Sequence, residues 1–404
     1  MSERWIKLLK NASLFCLLAM WPVLSFSSAL TDIFLWLSFS FCVLSLIASR
    51  QWPTVPDRTS LILLGLFLTT VVISMFVSEH PKQSFRGLIK VLRQIVVFVL
   101  VYHTFIADTS KSKLRLVVLF SFLVLVFDGY FQYVFGFDFI RGFKPQAASA
   151  GLRISACFEQ YGKLAAYLCT VLPFIVGWAF WFRKQTESRI QFWLVTTLSF
   201  SGLGLMVLTR SRGAFLALCL GFAITLFFRK WWKILSVLFL VGVLFISVLP
   251  RSMIIHLDNE NKEQSLVERI ELWHRAWDVI AARPLTGTGI NTYAVAYQEF
   301  DTRKSWRVQN YYAHNGYLQM AAEIGLPGLF IFLIFLVRWI LINRPRSFES
   351  DPYADVRWSL FGGIIAFMIF CLADTAMHSL LPVITFFFAL GLLGAFNPNI
   401  KRTA

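Results

Sequence analysis

Charge is scarce in this sequence. Only 15% of its 404 residues are charged and 57% are apolar or aromatic, whereas an ordinary soluble domain is about a quarter charged and just under half apolar. The balance excludes an ordinary soluble globular chain, although length alone would suggest two or three such domains. Acidic residues are the scarcer sign, 22 against 38 Lys and Arg, which leaves a net charge of +16. In a soluble protein that excess would point to nucleic acid. Here the basic residues sit between apolar runs, so membrane topology explains many of them first and no nucleic-acid partner is expected.

Other absences narrow the chemistry. Cys16, Cys42, Cys169, Cys219 and Cys371 fall within apolar runs and Cys157 is alone in a loop. Without a CxxC or a Cys/His cluster, neither a disulfide nor a metal site is expected. No P-loop, GxGxxG, HExxH or GxSxG pattern occurs, so ATP-driven and metal-hydrolase chemistry is unsupported and no cofactor is expected. The outer loop holds no recognisable carboxylate pair for glycoside hydrolysis. Neither an internal repeat nor a low-complexity segment is evident, which weighs against a secondary transporter or lipid flippase built on inverted repeats. The basic and then apolar N-terminus has no A-x-A-like cleavage site and reads as a retained helix.

Long apolar runs are what the chain has in abundance, with 42 Phe and 14 Trp. A spanning helix needs about 20 mostly apolar residues. Twelve candidates meet that measure, near 12–30, 32–49, 59–77, 88–107, 114–135, 161–182, 190–208, 213–228, 232–249, 317–341, 358–374 and 379–396. The expected fold is therefore an all-α polytopic membrane protein, a single integral membrane domain over 1–404. With the N-terminus inside, every cytoplasmic segment holds at least two basic residues, as the positive-inside rule asks, and both termini are cytoplasmic.

One long outer loop, 250–316, remains. Within it Ser265-Leu-Val-Glu268 is a plausible capping box. Leu266, Ile270, Trp273, Trp277 and Ile280 follow at helical spacing, and Pro284, Gly287 and Gly289 close the segment. The pattern predicts an amphipathic helix on the membrane or on the bundle. Its apolar stripe centres on Leu266, Trp273 and Trp277. Arg269 then falls at the edge of the buried face and Arg275 on the side facing water.

Four constellations could carry chemistry. His314 sits where the outer loop enters a spanning helix, preceded by Tyr311 and followed by Asn315 and Glu323. A histidine titrates near neutrality and can take a proton from an attacking hydroxyl; it can equally bond a backbone carbonyl at a helix end. Glu323 could orient a partner or pair with an arginine inside the membrane. Arg210 and Arg212 occupy a very short outer turn, where the topology trend disfavours cations. Arginine forks suit phosphate oxygens, while for Arg210 snorkelling to lipid headgroups is an equal reading. Arg269 at the rim of an apolar face is the third. Lys82, Arg86, Lys90 and Arg93 are the fourth, spaced along one helix face; they need anions, either a lipid diphosphate or buried acids such as Asp128, Glu159 or Asp374.

Taken together, the Thr209-Arg-Ser-Arg212-Gly turn, the Arg269-Ile-Glu-Leu-Trp273 segment, the Pro284 to Gly289 run, His314-Asn-Gly-Tyr-Leu-Gln and Glu323-Ile-Gly-Leu-Pro-Gly328 resemble the O-antigen ligase family. That family shares its core with O-antigen polymerases and bacterial protein O-oligosaccharyltransferases. The resemblance runs from about 200 to 330; the first 190 residues match only in hydropathy and layout. It implies a GT-C-type membrane glycosyltransferase of a Gram-negative inner membrane with a periplasmic active site. The donor would be a glycan on undecaprenyl diphosphate and the acceptor lipid A–core oligosaccharide. His314 would be the base, and Arg212 and Arg269 the diphosphate-binding residues. Arg210, Arg86, Lys90, Arg93, Asn315, Tyr311 and Glu323 would line the substrate site. The motifs do not separate ligase from polymerase. A protein O-oligosaccharyltransferase would be expected to carry more outer-face sequence after its last helices.

Overall fold

The computed structural model describes residues 3–106, 108–148, 151–185, 188–236, 260–300, 312–346 and 351–398. The helices are α1 (Glu3–Leu24), α2 (Ser28–Ser49), α3 (Arg58–Phe76), α4 (Pro81–Phe105), α5 (Asp108–Phe135), α6 (Tyr161–Lys184), α7 (Arg189–Leu208), α8 (Arg212–Phe228), α9 (Glu260–Ala282), α10 (Tyr293–Phe300), α11 (Gly316–Asn343), α12 (Ala354–Phe370) and α13 (Leu380–Ala395). Eight of them, α1 to α7 and α11, are long and apolar enough to cross a membrane, and α8 and α13 are shorter apolar helices. Eleven of the twelve expected spans thus coincide with a described helix; most of the twelfth, 232–249, lies outside the described residues.

Local chemistry sets the ends more sharply than hydropathy does. Ser27 caps α2 by accepting from the Leu30 N–H, so the first two spans meet at 25–27 and not near residue 31. Pro81 starts α4, seven residues earlier than expected, because proline fits a first helical turn. α12 ends at Phe370, four residues before the apolar run does, which leaves Asp374 outside the helix. A small antiparallel hairpin, β1 (Gln146–Ala148) and β2 (Gly151–Arg153), pairs Ala147 with Leu152. It was not foreseen in the sequence; three-residue strands carry no readable period.

α6 is the central helix: 83% of its most apolar window is buried, against 22–44% for the other seven long helices. Without a hydrophobic driving force between helices in lipid, close packing of small residues does the work. A Cβ on Gly363 of α12 would lie 2.6 Å from the Thr170 carbonyl of α6, and one on Gly221 of α8 would lie 2.7 Å from the Gly362 carbonyl. The hydroxyls of Ser13 and Ser38 each donate to the other's backbone carbonyl, at 2.9 and 2.8 Å, and clamp α1 to α2. Gly363→Leu is expected to cost about 1–3 kcal/mol by overpacking, read as a lower thermal midpoint of the solubilised protein.

The two ends of the bundle differ. At one end basic residues are paired: Lys184 and Arg229 both reach Asp355 at 2.7 Å, and Arg357 reaches Asp351 at 2.7 Å. Lys111 lies 4.7 Å over the Tyr353 ring and Arg115 lies 4.5 Å over that of Trp181. His314 and the 209–212 turn occupy the other end.

α9 departs from its expected register. It begins at Glu260, so Ser265 lies within the helix and does not cap it. Its buried residues are Leu272, Ala276, Val279 and Ile280, while Trp277 is 57% exposed and Ile270 also faces outward. Arg275, expected to face water, is 1% exposed and bonds Glu271 at 3.0 Å. The reason is the partner: Ala276, Val279 and Ile280 pack with Tyr293, Tyr297, Ala321 and Ala322. These small α11 positions accept the alanine–aliphatic face, not the tryptophan face.

Candidate functional site

The site is assembled around one turn, 371–374. The Gly316 N–H donates to the Cys371 and Asp374 carbonyls at 2.8 and 3.0 Å, which ties the start of α11 to this turn. Asn315 caps α11: its side-chain oxygen accepts from the Tyr317 and Leu318 N–H groups at 3.0 and 3.1 Å. His314, immediately before the cap, takes a left-handed backbone with φ 46°, a conformation uncommon outside glycine but in which His, Asn and Asp are over-represented. Gly213 of α8 packs against Ala373 on the other side of the same turn, and Gly162 of α6 faces the Asp374 carboxylate. Arg212, the first residue of α8, is exposed there. α9 supplies Arg269, half-buried, close enough for its charge to act on both His314 and Asp374.

Two titrations follow from this packing. Burial pushes the His314 imidazole below its ordinary value, and the Arg269 guanidinium pushes in the same direction. Burial raises the Asp374 carboxyl to about 6, with Arg269 opposing. The imidazole therefore stays neutral, and able to accept a proton, to lower pH than a free histidine, whose value is about 6.5. Nδ1 of His314 is buried without a hydrogen-bond partner among the described residues. The ring is thus not committed to a backbone carbonyl there, which a purely structural helix-end histidine would require.

Glu323 is differently placed. It is 1% exposed, and its carboxylate accepts from the Asn291 N–H at 2.7 Å, the Tyr293 N–H at 3.3 Å and the Gln319 amide at 3.2 Å. The 284–291 loop lies across a break in α11 at Gly325, where φ is 75°. The Thr288 and Gly289 N–H groups donate to the Ala322 and Glu323 carbonyls, and Leu326 donates to Pro284. A Cβ on Gly325 would lie 2.3 Å from the Leu285 carbonyl oxygen. The two glycine-containing runs seen in the sequence are thus each other's docking partners, and Glu323 locks them. His378 comes within 3.9 Å of Glu323 and stacks on Tyr312.

The basic stripe of α4 divides. Lys82 and Arg86 are exposed. Lys90 bonds the Asn291 side-chain oxygen at 2.6 Å. Arg93 pairs with Asp32 of α2 at 3.0 Å, and not with Asp128, Glu159 or Asp374. Asp128 instead accepts from the Phe139 and Ile140 N–H groups. Arg210, with φ 53°, lies against the hairpin: a Cβ on Gly151 would come 2.9 Å from its guanidinium. Arg153 of the same hairpin lies 4.5 Å over the Tyr161 ring. The structure therefore adds Asp374 to the neighbourhood of His314 and Arg269, and the hairpin bearing Arg153 to that of Arg210. Neither is signalled by local sequence: Asp374 reads as the end of a span and Arg153 as a loop cation. Tyr311 lies outside the described residues. Among the described residues no group of three or more His, Cys, Asp or Glu side chains is placed to hold a metal ion.

Part of this end comes from one stretch of chain, and that stretch, residues 196–333, matches the family described as O-Antigen ligase. The likeness to that family covers about a third of the chain. That match contains Arg210, Arg212, Arg269, His314 and Glu323, and supports a ligase- or polymerase-type membrane enzyme. Arg86, Lys90, Arg93, Arg153 and Asp374 lie outside the matched stretch. No curated protein matches the chain.

Proposed function

We propose that this protein acts as an O-antigen ligase on the periplasmic face of a Gram-negative inner membrane. It moves a glycan from undecaprenyl diphosphate to lipid A–core oligosaccharide. The observation that carries the reading is a half-buried His314 ring, unbonded among the described residues, with Arg269 beside it and Arg212 across the 371–374 turn. His314 takes the proton of the acceptor hydroxyl as that oxygen bonds the anomeric carbon. The carbon–oxygen bond to the diphosphate breaks, and the lipid diphosphate leaves. Arg212 and Arg269 stabilise the charge growing on it, preorganised donors of the kind worth several kcal/mol. The donor bond is already energetic, so no ATP is consumed, and the arginines occupy the role a divalent cation would otherwise fill. Arg210, Arg86 and Lys82 extend the basic surface toward the donor, while Arg93, Lys90, Asn315 and Glu323 hold the scaffold.

The test is deletion of the gene in its host, followed by lipopolysaccharide gels and assay of the lipid-linked glycan pool. Bare lipid A–core with accumulated full-length lipid-linked polymer supports the ligase. Core capped by a single repeat unit identifies a polymerase instead, and unchanged ladders overturn both. A second expectation concerns pH. Transfer by the wild type loses activity on the acid side only below the ordinary imidazole range. In Arg269→Gln the acid limb of the pH–rate profile moves upward, because one of the two influences lowering His314 is gone. An unmoved limb would separate Arg269 from His314.

A further inference from the structure

A second feature lies at the other end of the molecule. α6, α7 and α8 enclose a groove of about 300 Å³ walled by Leu172, Phe180, Phe192, Phe200, Leu203 and Phe222. Its polar members are few. The Ser199 hydroxyl is already bonded to the Val195 carbonyl at 2.8 Å, the Thr196 hydroxyl has no partner among the described residues, and Arg183 stands at one end. From Leu172 to Arg183 the groove follows α6 for about 16 Å at the helical rise per residue. That is roughly half of a bilayer's hydrocarbon thickness of about 30 Å, the depth of one leaflet.

Charge sets the occupant's other end. Lys184 and Arg229 share Asp355. Arg183 is exposed, and no carboxylate among the described residues pairs with it. An apolar channel one leaflet deep with an exposed arginine fork at its mouth matches an alkyl chain beneath a phosphate. Gly162, at the His314 end of α6, is about 15 Å from Leu172 and about 32 Å from Arg183 at the helical rise per residue, and no residue of the His314 site lines the groove.

We propose that this groove binds one acyl chain of an anionic phospholipid whose phosphate is held by Arg183, in the leaflet opposite the His314 end. The site packs a lipid into a gap that α6, α7 and α8 leave between them. It does not depend on the glycan-transfer reading.

The experiment uses the full chain in nanodiscs containing phosphatidylglycerol with a photoreactive acyl chain, followed by peptide mapping. Label is expected on peptides covering 172–203, competed by unlabelled phosphatidylglycerol and not by phosphatidylcholine. Arg183→Gln is expected to lower it about fivefold, the effect of one basic residue near an anionic surface. Ser199→Trp, which fills the groove, removes it. Both variants are checked for monodisperse elution, and Arg183→Gln carries the test alone if Ser199→Trp misfolds, since its side chain is exposed. Label indifferent to headgroup and to Arg183→Gln overturns the proposal. So does absence of label in the wild type with Ser199→Cys crosslinking to the 232–249 segment, which would make the groove a seat for the chain's own helix.

Discussion

His314→Asn is expected to lower glycan transfer by about 10²–10⁴-fold, the usual worth of a positioned general base, while leaving the fold intact. Asparagine tolerates the left-handed conformation that position 314 adopts far better than most residues. It can still hydrogen-bond, but it accepts no proton near neutral pH. Because Nδ1 of His314 is without a partner among the described residues, removing the ring breaks no bond seen there. Thermal stability is therefore expected to match the wild type. His314→Ala should lose as much activity, with a small additional stability cost from alanine in a positive-φ position. Transfer rates in complemented cells and with purified protein, beside thermal midpoints, check both. Retained activity in His314→Asn would remove the base from the mechanism.

Glu323→Ala is expected to act oppositely, first on the fold and only through it on activity. Its carboxylate accepts from two backbone N–H groups and the Gln319 amide inside the protein. Stranding buried donors costs about 1–3 kcal/mol each, so a loss of about 3 kcal/mol or more is expected, read as a sharply lower thermal midpoint. The 284–291 loop would lose its anchor on α11, and with it the seat of α9, which delivers Arg269. Glu323→Gln, which keeps one acceptor oxygen, is expected to be intermediate. An Ala variant as stable as the wild type would mean that the loop is held by its backbone bonds to Ala322 and Glu323 alone.

These two residues show where sequence reading stops. His314 and Glu323 stand nine positions apart in one motif; spacing alone left each open between a chemical and a structural role, and the family resemblance gave both to the site. Their environments separate them. One ring is left unbonded among the described residues, beside Arg269, and one carboxylate is filled by backbone donors 30 and 32 residues away. Arg93 shows the same limit. Its stripe with Lys82, Arg86 and Lys90 is a helix property, but Asp32 of α2 claims it, and only the packing of α2 on α4 brings that acid within reach. For α9 the tryptophan stripe was the stronger local signal, yet the small residues of α11 decided which face was buried.

The sequence by itself determined the membrane class, the positions of most helices and the likeness of 196–333 to the ligase family. Each depends on signals confined to a short window: a bilayer demands about 20 apolar residues in a row, and the motifs are contiguous. The tertiary structure alone decided which cations are already paired, that Asp374 joins His314 and Arg269, and that the two glycine-containing runs lock onto each other. Those outcomes rest on contacts between residues far apart in the chain. Electrostatic pairing and close packing act over a few ångströms in space, with no regard for separation along the sequence.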